Sequence, residues 1–432
     1  MKISVLGLGY VGTVLSACLC KLNHNVIGVD IKPSKVDLIN QGKSPIYEND
    51  LNALIKNAVS ENKLIATVDV NDAIKNSQVT FVCVGTPSNE NGSINLGFML
   101  RTCEQIGEAL KNKKNYHLVA IRSTITPGTI EENIIPLIEE ISGKKVSIDF
   151  DVCMNPEFLR EGSAVQDFFN PERTVIGTNS LKVFETIKEV YNGIDKPIIM
   201  TDIRTGEMMK YIDNSFHALK VCFTNEIGRI CKHFGADAQK AMEIFCMDKK
   251  QNLSEYYFKP GFAYGGSCLP KDVRALIAET NNKELMMPLI RNIPVSNIKH
   301  IDCAVDLIKE ITIFKNITLN RVGILGLSFK KNTDDFRENP ILQVIDKLKN
   351  HKILIYDKLL TYDDVGKISY KLSLMFNKNL KYVLKNSDVI VIANNGNYDE
   401  VYDLLENRHK LIDLQNVLDK KKIKKGDYYR LT

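Results

Sequence analysis

No apolar run in this 432-residue chain reaches the length of a membrane span. Nor does the chain open on a leader: Met1-Lys-Ile-Ser-Val passes directly into a strand pattern, so no signal peptide is expected. The ten cysteines show no paired spacing. Cys18 and Cys20 form a C-x-C, but they fall in an apolar helical pattern with no matching histidine or cysteine cluster. That reads as core packing rather than a zinc site, and no metal ligand set is expected. With no sign of secretion, a reducing cytoplasm is the expected compartment. One run, Lys420-Lys-Lys-Ile-Lys-Lys425, carries much of the excess behind the net charge of +5. No aromatic residues interleave with it, so it reads as a solvated tail and not as a nucleic-acid patch.

What is present fits a globular protein: 44% hydrophobic and 25% charged residues. The length exceeds one ordinary core, so two or three domains are expected. The first stretch with chemistry is Gly7-Leu-Gly9-Tyr-Val-Gly12. It follows a β-rich run, Ile3 to Gly7, and leads into an apolar helical segment through Leu22. A second strand, Asn25 to Asp30, ends on an acid. Strand, glycines, helix and acid together are the dinucleotide fingerprint, with the pyrophosphate at the helix N-terminus. Asp30 can bond both ribose hydroxyls and repels a 2′-phosphate, which favours NAD over NADP.

An α/β rhythm continues through Gln78 to Val84 and His117 to Ser123, each closed by a turn, Gly85-Thr-Pro87 and Thr124-Ile-Thr-Pro-Gly128. Ligands of open parallel sheets sit beyond the carboxyl ends of strands, which places Thr86 and Thr124 near cofactor or substrate. Asn155-Pro-Glu157-Phe-Leu-Arg-Glu161 follows another strand, Phe150 to Met154. Its two glutamates, four apart, are read on one helical face, as a solvated helix start or as an acid/base pair. From Arg204 to about Phe234 runs a helical pattern without proline, roughly 45 Å long. Lys210, Asn214, His217 and Asn225 form one polar stripe on it. The apolar positions Met208, Met209, Ile212, Phe216, Leu219, Cys222, Phe223, Ile227 and Ile230 imply burial on more than one side, between domains or subunits.

Phe262-Ala-Tyr-Gly-Gly-Ser-Cys268-Leu-Pro-Lys-Asp272 places one cysteine after two glycines and before a helix-starting proline. A helix N-terminus and the nearby Lys271 both favour thiolate. Locally, a buried cysteine beside a glycine turn explains the stretch equally well. Helical pattern then runs to about Lys315. A second α/β series begins at Arg321-Val-Gly-Ile-Leu-Gly326, with strands Lys352 to Asp357, Asp388 to Ala393 and Lys410 to Asp413. It loosely repeats the first. Its first loop, Leu327 to Arg337, lacks the third fingerprint glycine and offers basic residues instead, which suits a different phosphate-bearing ligand.

These residues together resemble the nucleotide-sugar 6-dehydrogenases, the UDP-glucose and GDP-mannose dehydrogenase family, over nearly the whole chain. The carriers are the Gly7/Gly9/Gly12 fingerprint with Asp30, Gly85-Thr-Pro87, Ser123-Thr124, Asn155 to Glu161, Lys210 with Asn214, Gly265 to Asp272, and Lys330 with Thr333-Asp-Asp-x-Arg337. Gln41 to Ile46 and Asn252 to Phe262 look like the GDP-mannose branch. Two positions depart from that branch: Lys259 stands in place of arginine, and Asn339 in place of serine. The resemblance implies two Rossmann-like doubly wound domains bridged by a long central helix and a helical dimerisation region. The boundaries it suggests are 1–202, NAD-binding; 203–317, carrying the cysteine; and 318–432, binding the sugar nucleotide.

It further implies oxidation of a sugar C6 alcohol to an acid with two NAD, by way of a thiohemiacetal and a thioester on Cys268. Lys210 and Asn214 would hold the C6 oxygen; Thr124, Glu161 and Asp272 are candidates for activating water or moving protons. Glu157 stands behind them as a weaker candidate. Tyr10, Val11, Asp30, Lys35, Thr86, Thr124, Lys271 and Arg337 are implied to touch NAD. Glu161, Lys210, Asn214, His217, Asn225, Tyr256, Tyr257, Lys259, Phe262, Gly265 and Lys330 are implied to line the sugar-nucleotide site. A homodimer or a dimer of dimers follows from the same resemblance. GDP-mannose is the expected substrate. UDP-glucose or a UDP-N-acetylhexosamine, a single-step hydroxyacid dehydrogenase, and a non-catalytic NAD sensor remain as alternatives.

Overall fold

A computed structural model describes residues 1–249, 257, 259–282, 288–312, 321–329 and 331–432. Tyr256 and Lys330 lie outside these. The chain divides into two compact units, Met1–Asp213 and Asn214–Thr432.

The first unit is built on eight strands: β1 (Lys2–Leu6), β2 (Asn25–Val29), β3 (Leu64–Thr67), β4 (Val79–Val82), β5 (His117–Ile121), β6 (Phe150–Met154), β7 (Thr174–Gly177) and β8 (Ile198–Thr201). Their order is β3-β2-β1-β4-β5-β6-β7-β8, parallel except where β6 meets β7. β4, β5 and β6 are buried along their whole length. Runs such as Val79-Thr-Phe-Val82 suit that placement, because a parallel sheet covered on both faces needs apolar residues on both. The strand order reverses between β1 and β4, the place where open α/β sheets take their ligands. The sequence pattern pointed to β1, β2, β4, β5 and β6. β3, β7 and β8, none of them buried along its whole length, were not singled out.

The second unit holds a five-stranded parallel sheet of β9 (Arg321–Leu325), β10 (Lys352–Tyr356), β11 (Val389–Ile392), β12 (Lys410–Asp413) and β13 (Asp427–Arg430), in the order β10-β9-β11-β12-β13. This is a second doubly wound sheet, with its switch point between β9 and β11. Five of the six residues of the expected lysine tail are lysines, and all five are exposed. The run is not a tail, however: it forms the turn that delivers β13 to the sheet edge.

The helix Ile203–Phe234 runs unbroken for 32 residues. The burial of its polar stripe fits the expected need for partners or a ligand, whereas part of its apolar face departs from expectation. Glu207, Lys210, Asn214, Lys220, Thr224 and Asn225 are buried, whereas Ile212, Phe216 and Phe223 are 48%, 39% and 41% exposed. The polar stripe faces the interior and part of the apolar face is left bare. The arrangement is tolerated because Glu207, Lys210, Asn214 and Asn225 find partners, as shown below. A second departure is Asn155 to Glu161, which is irregular rather than helical. There Leu159 N–H donates to Glu157 Oε2 at 2.7 Å and Arg160 N–H to Asp167 Oδ2 at 2.9 Å. Side chains thus take backbone donors that a helix would use. Among the described residues no helix is long and apolar enough to cross a membrane.

Candidate active site

At the first switch point each fingerprint glycine does something different. Gly7 has a φ of +94°. A Cβ on Gly12 would lie 1.9 Å from the Gly7 carbonyl oxygen, so only glycine lets helix and loop close up. A Cβ on Gly9 would meet nothing within 4 Å. That open face is where a pyrophosphate needs the backbone bare. The residues therefore fit a dinucleotide. Gly9→Ala is expected to raise KM for NAD about tenfold or more while leaving the melting temperature unchanged. Gly12→Ala should instead lower the melting temperature, read by thermal denaturation of both variants without ligand.

Asp30 caps the fingerprint loop. It accepts from Leu8 N–H at 2.9 Å, Lys32 N–H at 3.0 Å and Lys35 Nζ at 3.1 Å. Lys35 Nζ also donates to the Leu8 carbonyl at 3.0 Å. The turns after β4 and β5 are tied together: Thr86 Oγ1 donates to Thr124 O at 2.9 Å, and Ser123 Oγ to Val84 O at 2.7 Å. Both threonines are buried. Tyr10 and Val11, at the start of the helix Tyr10–Lys21, complete this end of the unit.

Three residues past the end of β6, Glu157 forms a buried ion pair. Lys210 Nζ stands 2.7 Å from Glu157 Oε1, with side chains 6% and 9% exposed. Burial opposes charge on Glu157, yet Lys210, Arg122 and the Leu159 N–H together hold its carboxyl below the usual value. Arg122 is itself buried, and donates to Asn155 Oδ1 and Tyr191 OH at 2.7 Å each. Glu157 is thus a charged partner of Lys210, a firmer role than the sequence suggested. Glu161 is half-buried, in the turn that follows. Glu207, one turn before Lys210, is fully buried and accepts from Ile130 N–H at 2.9 Å and from Gly128 N–H. It fastens the long helix to the loop that carries Thr124. Arg122, Glu207 and Lys220 were not singled out from sequence, although Glu207 and Lys220 continue the helix stripe at spacings of three.

In the second unit the cysteine stretch is held by three side chains. Asn225 accepts from Gly261 N–H at 3.1 Å and donates to Phe262 O at 3.3 Å. His300 Nε2 bonds Gly261 O at 2.7 Å, and Asn297 bonds both backbone groups of Tyr264. Cysteine and helix meet as expected. Cys268 immediately precedes the helix Leu269–Asn282, its carbonyl accepts Asp272 N–H at 2.9 Å, and its side chain is exposed. Gly265 and Gly266 are required by close approach, since Cβ atoms there would lie 2.4 Å from Pro340 Cδ and 2.9 Å from Phe329. Asp272 is fully buried, accepts from Asn214 Nδ2, and lies 3.3 Å from Lys271 Nζ. That bond joins the cysteine helix to the long helix, one turn beyond Lys210. The other cysteines differ in kind: burial pushes the thiols of Cys18, Cys20, Cys83 and Cys103 up to about 12. They are inert core residues, and no disulfide forms among the described residues.

Other expected ligand contacts are placed as follows. His217 faces Tyr257 with ring centroids 5.3 Å apart. Lys259 is exposed and Phe262 buried. Arg337 is exposed and forms a salt bridge with Asp335 at 2.7 Å. Asn339 caps the helix Pro340–Lys347 through Ile341 N–H and donates to Leu327 O at 2.6 Å. Asp357, the counterpart of Asp30, accepts N–H donors from Leu327, Ser328 and Leu359 at 2.8–2.9 Å. Its loop is further filled by Asn394 and Tyr398, which a Cβ on Gly326 would strike at 2.5 and 2.6 Å. The second unit therefore repeats the fold without the bare glycine face of the first.

Three family models cover the chain in order. The NAD binding, central and UDP binding domains of the UDP-glucose/GDP-mannose dehydrogenase family match residues 1–195, 204–299 and 323–420. The chain belongs to this family. It is an NAD-dependent nucleotide-sugar dehydrogenase. GDP-mannose 6-dehydrogenase of Pseudomonas aeruginosa is 43% identical over 429 residues, 96% of each chain. A UDP-glucose dehydrogenase structure from Pyrobaculum islandicum is 32% identical, with a TM-score of 0.91 over 99% of this chain and 97% of that one. A ternary complex of GDP-mannose dehydrogenase from Pseudomonas aeruginosa is 40% identical, with a TM-score of 0.59 over all of both chains.

Proposed function

We propose that the enzyme oxidises the C6 alcohol of GDP-mannose to the carboxylate in two successive two-electron steps through Cys268. The observation that supports this most is the Asn214–Asp272 bond. It ties the helix headed by an exposed cysteine to the helix that carries a buried, paired lysine. NAD, when bound, would accept one hydride in each oxidation; Tyr10, Val11, Asp30, Lys35, Thr86, Thr124, Lys271 and Arg337 are the residues proposed to hold it.

In this reading Lys210 and Asn214 hold the C6 oxygen and stabilise the negative charge that develops on it. The alcohol loses a proton and a hydride to give an aldehyde. The Cys268 sulfur adds to the aldehyde carbon and the oxygen takes up a proton, giving a thiohemiacetal. Loss of a second hydride and that proton leaves a thioester. Water positioned by Thr124, Glu161 or Asp272 adds to the thioester carbon, and the thiol departs with a proton. His217, Asn225, Tyr256, Tyr257, Lys259, Phe262, Gly265 and Lys330 line the sugar-nucleotide site. Asn225 acts there by shaping the Gly261–Phe262 backbone.

GDP-mannose is favoured by the 43% identity to GDP-mannose 6-dehydrogenase. A UDP-sugar substrate is the second reading, favoured by the fold match to a UDP-glucose dehydrogenase. The exposed Ile212, Phe216 and Phe223 motivate a homodimer or a dimer of dimers, sealed along the long helix. Initial rates with GDP-mannose, UDP-glucose and UDP-N-acetylhexosamines decide the substrate. GDP-mannose is expected to give the highest kcat/KM, and a higher value with a UDP-sugar would reverse the assignment.

A further inference from the structure

Glu48 belongs to no motif discussed so far, yet it is buried to 6% exposure and lies against the turn that carries Glu161. Its Oε2 accepts Gly162 N–H at 2.7 Å, and its Oε1 accepts Ala164 N–H at 3.3 Å. The same Oε2 accepts the hydroxyl of Tyr10, and that hydroxyl oxygen in turn lies 3.1 Å from Gly162 N. Its neighbour Asn49 holds the opposite side of the same residue, donating from Nδ2 to Gly162 O at 2.8 Å. Gly162 sits at a φ of +87°, where the chain turns directly after Glu161. Ser163 gives no side-chain cap to the short helix Ala164–Phe169, so the acceptor for its first N–H comes from Glu48, far away in sequence.

We infer that Glu48 is a positioning residue that fixes the Glu161 turn to the dinucleotide loop through Tyr10. Tyr10 lies between Gly9 and Gly12, on the loop that binds NAD. One carboxylate therefore ties the cofactor loop to the backbone that aims Glu161. The bonds to the carboxylate are charge-assisted and partly buried, which makes them stronger than ordinary turn contacts. Removing them frees a glycine-containing turn, and small displacements of a reacting group cost large factors in rate. The inference rests on the reading of Glu161 as a group of the sugar site.

The test is a double-mutant cycle. Glu48→Ala is expected to lower kcat for acid formation on the order of tenfold to a hundredfold, with KM for NAD nearly unchanged. Adding Glu48→Ala to Glu161→Gln should cost little more, because the group being aimed is already disabled. Glu48→Gln keeps an acceptor for Gly162 N–H and should recover much of the loss; Tyr10→Phe should reproduce a part of it. If Glu48→Ala does not fold, Tyr10→Phe carries the same cycle with Glu161→Gln, and hydrogen exchange of amides 160–164 is read on it. Fully additive losses, or an unchanged kcat, would overturn the inference. Hydrogen exchange gives a readout independent of activity: amides 160–164 should exchange faster in Glu48→Ala. If the wild type oxidised no nucleotide sugar, the proposed function would fail, while faster exchange would still report the tether.

Discussion

Cys268→Ala is expected to retain NAD binding and to abolish net formation of the sugar acid. The loss should be at least about 10³-fold, because a covalent intermediate is removed rather than a contact weakened. The structure gives this variant an unusually clean interpretation. Cys268 is exposed and its side chain belongs to no core, so its removal leaves no cavity. The loop before it is held by Asn225, Asn297 and His300 through the backbone of Gly261, Phe262 and Tyr264. Binding of NAD, measured by calorimetry, should therefore match the wild type. Acid formation at a near-normal rate would remove the cysteine from the mechanism. Replacing Cys83 or Cys103 is a useful contrast, since burial holds both thiols protonated and any effect there should appear in stability.

Lys210→Met should damage both stability and rate. It strands Glu157 in a site where only Arg122 and one backbone N–H remain to oppose burial. Breaking a buried pair from one side costs about 3–5 kcal/mol. If Lys210 also stabilises charge on the C6 oxygen, kcat should fall a further 10²- to 10³-fold, an order-of-magnitude expectation for losing such a donor. Combining Lys210→Met with Glu157→Gln should restore much of the stability and none of the rate, which separates the two effects. The pair also predicts a pH dependence. The Glu157 carboxyl titrates lower in the folded protein than in the unfolded chain. It therefore adds stability above the unfolded value, about 4.3, and loses that contribution as the pH falls through the folded value. Glu157→Gln should flatten the acid side of the stability profile, measured by denaturant titration below about pH 5.

Much of this architecture could be read from the sequence because its signals are local. Gly7, Gly9, Gly12 and Asp30 fall within one βαβ unit, and Cys268 with Pro270 announces a helix start. The strands that were found are runs of five or so apolar residues. Those that escaped, β3, β7, β8 and β13, are not buried along their whole length and owe their conformation to their neighbours. The Glu157–Glu161 segment misled because four-residue spacing implies a helical face only where the backbone is free to be helical. Here Glu157 and Asp167 compete for its N–H groups. The long helix was placed almost to the residue, but its faces were not. Which side is buried depends on Glu157, Asp272 and the Gly261–Phe262 backbone, all distant in sequence. Glu48 was out of reach for the same reason, since Gly162 and Ala164, whose N–H groups donate to it, lie more than a hundred residues away.

The two-step reading can be tested directly by counting cofactor. One limiting equivalent of nucleotide sugar is incubated with excess NAD until absorbance stops rising. Two NADH per sugar, with the sugar recovered as its 6-carboxylate, is the result expected if Cys268 carries the intermediate from alcohol to acid. One NADH per sugar, with an aldehyde as the product, would contradict it.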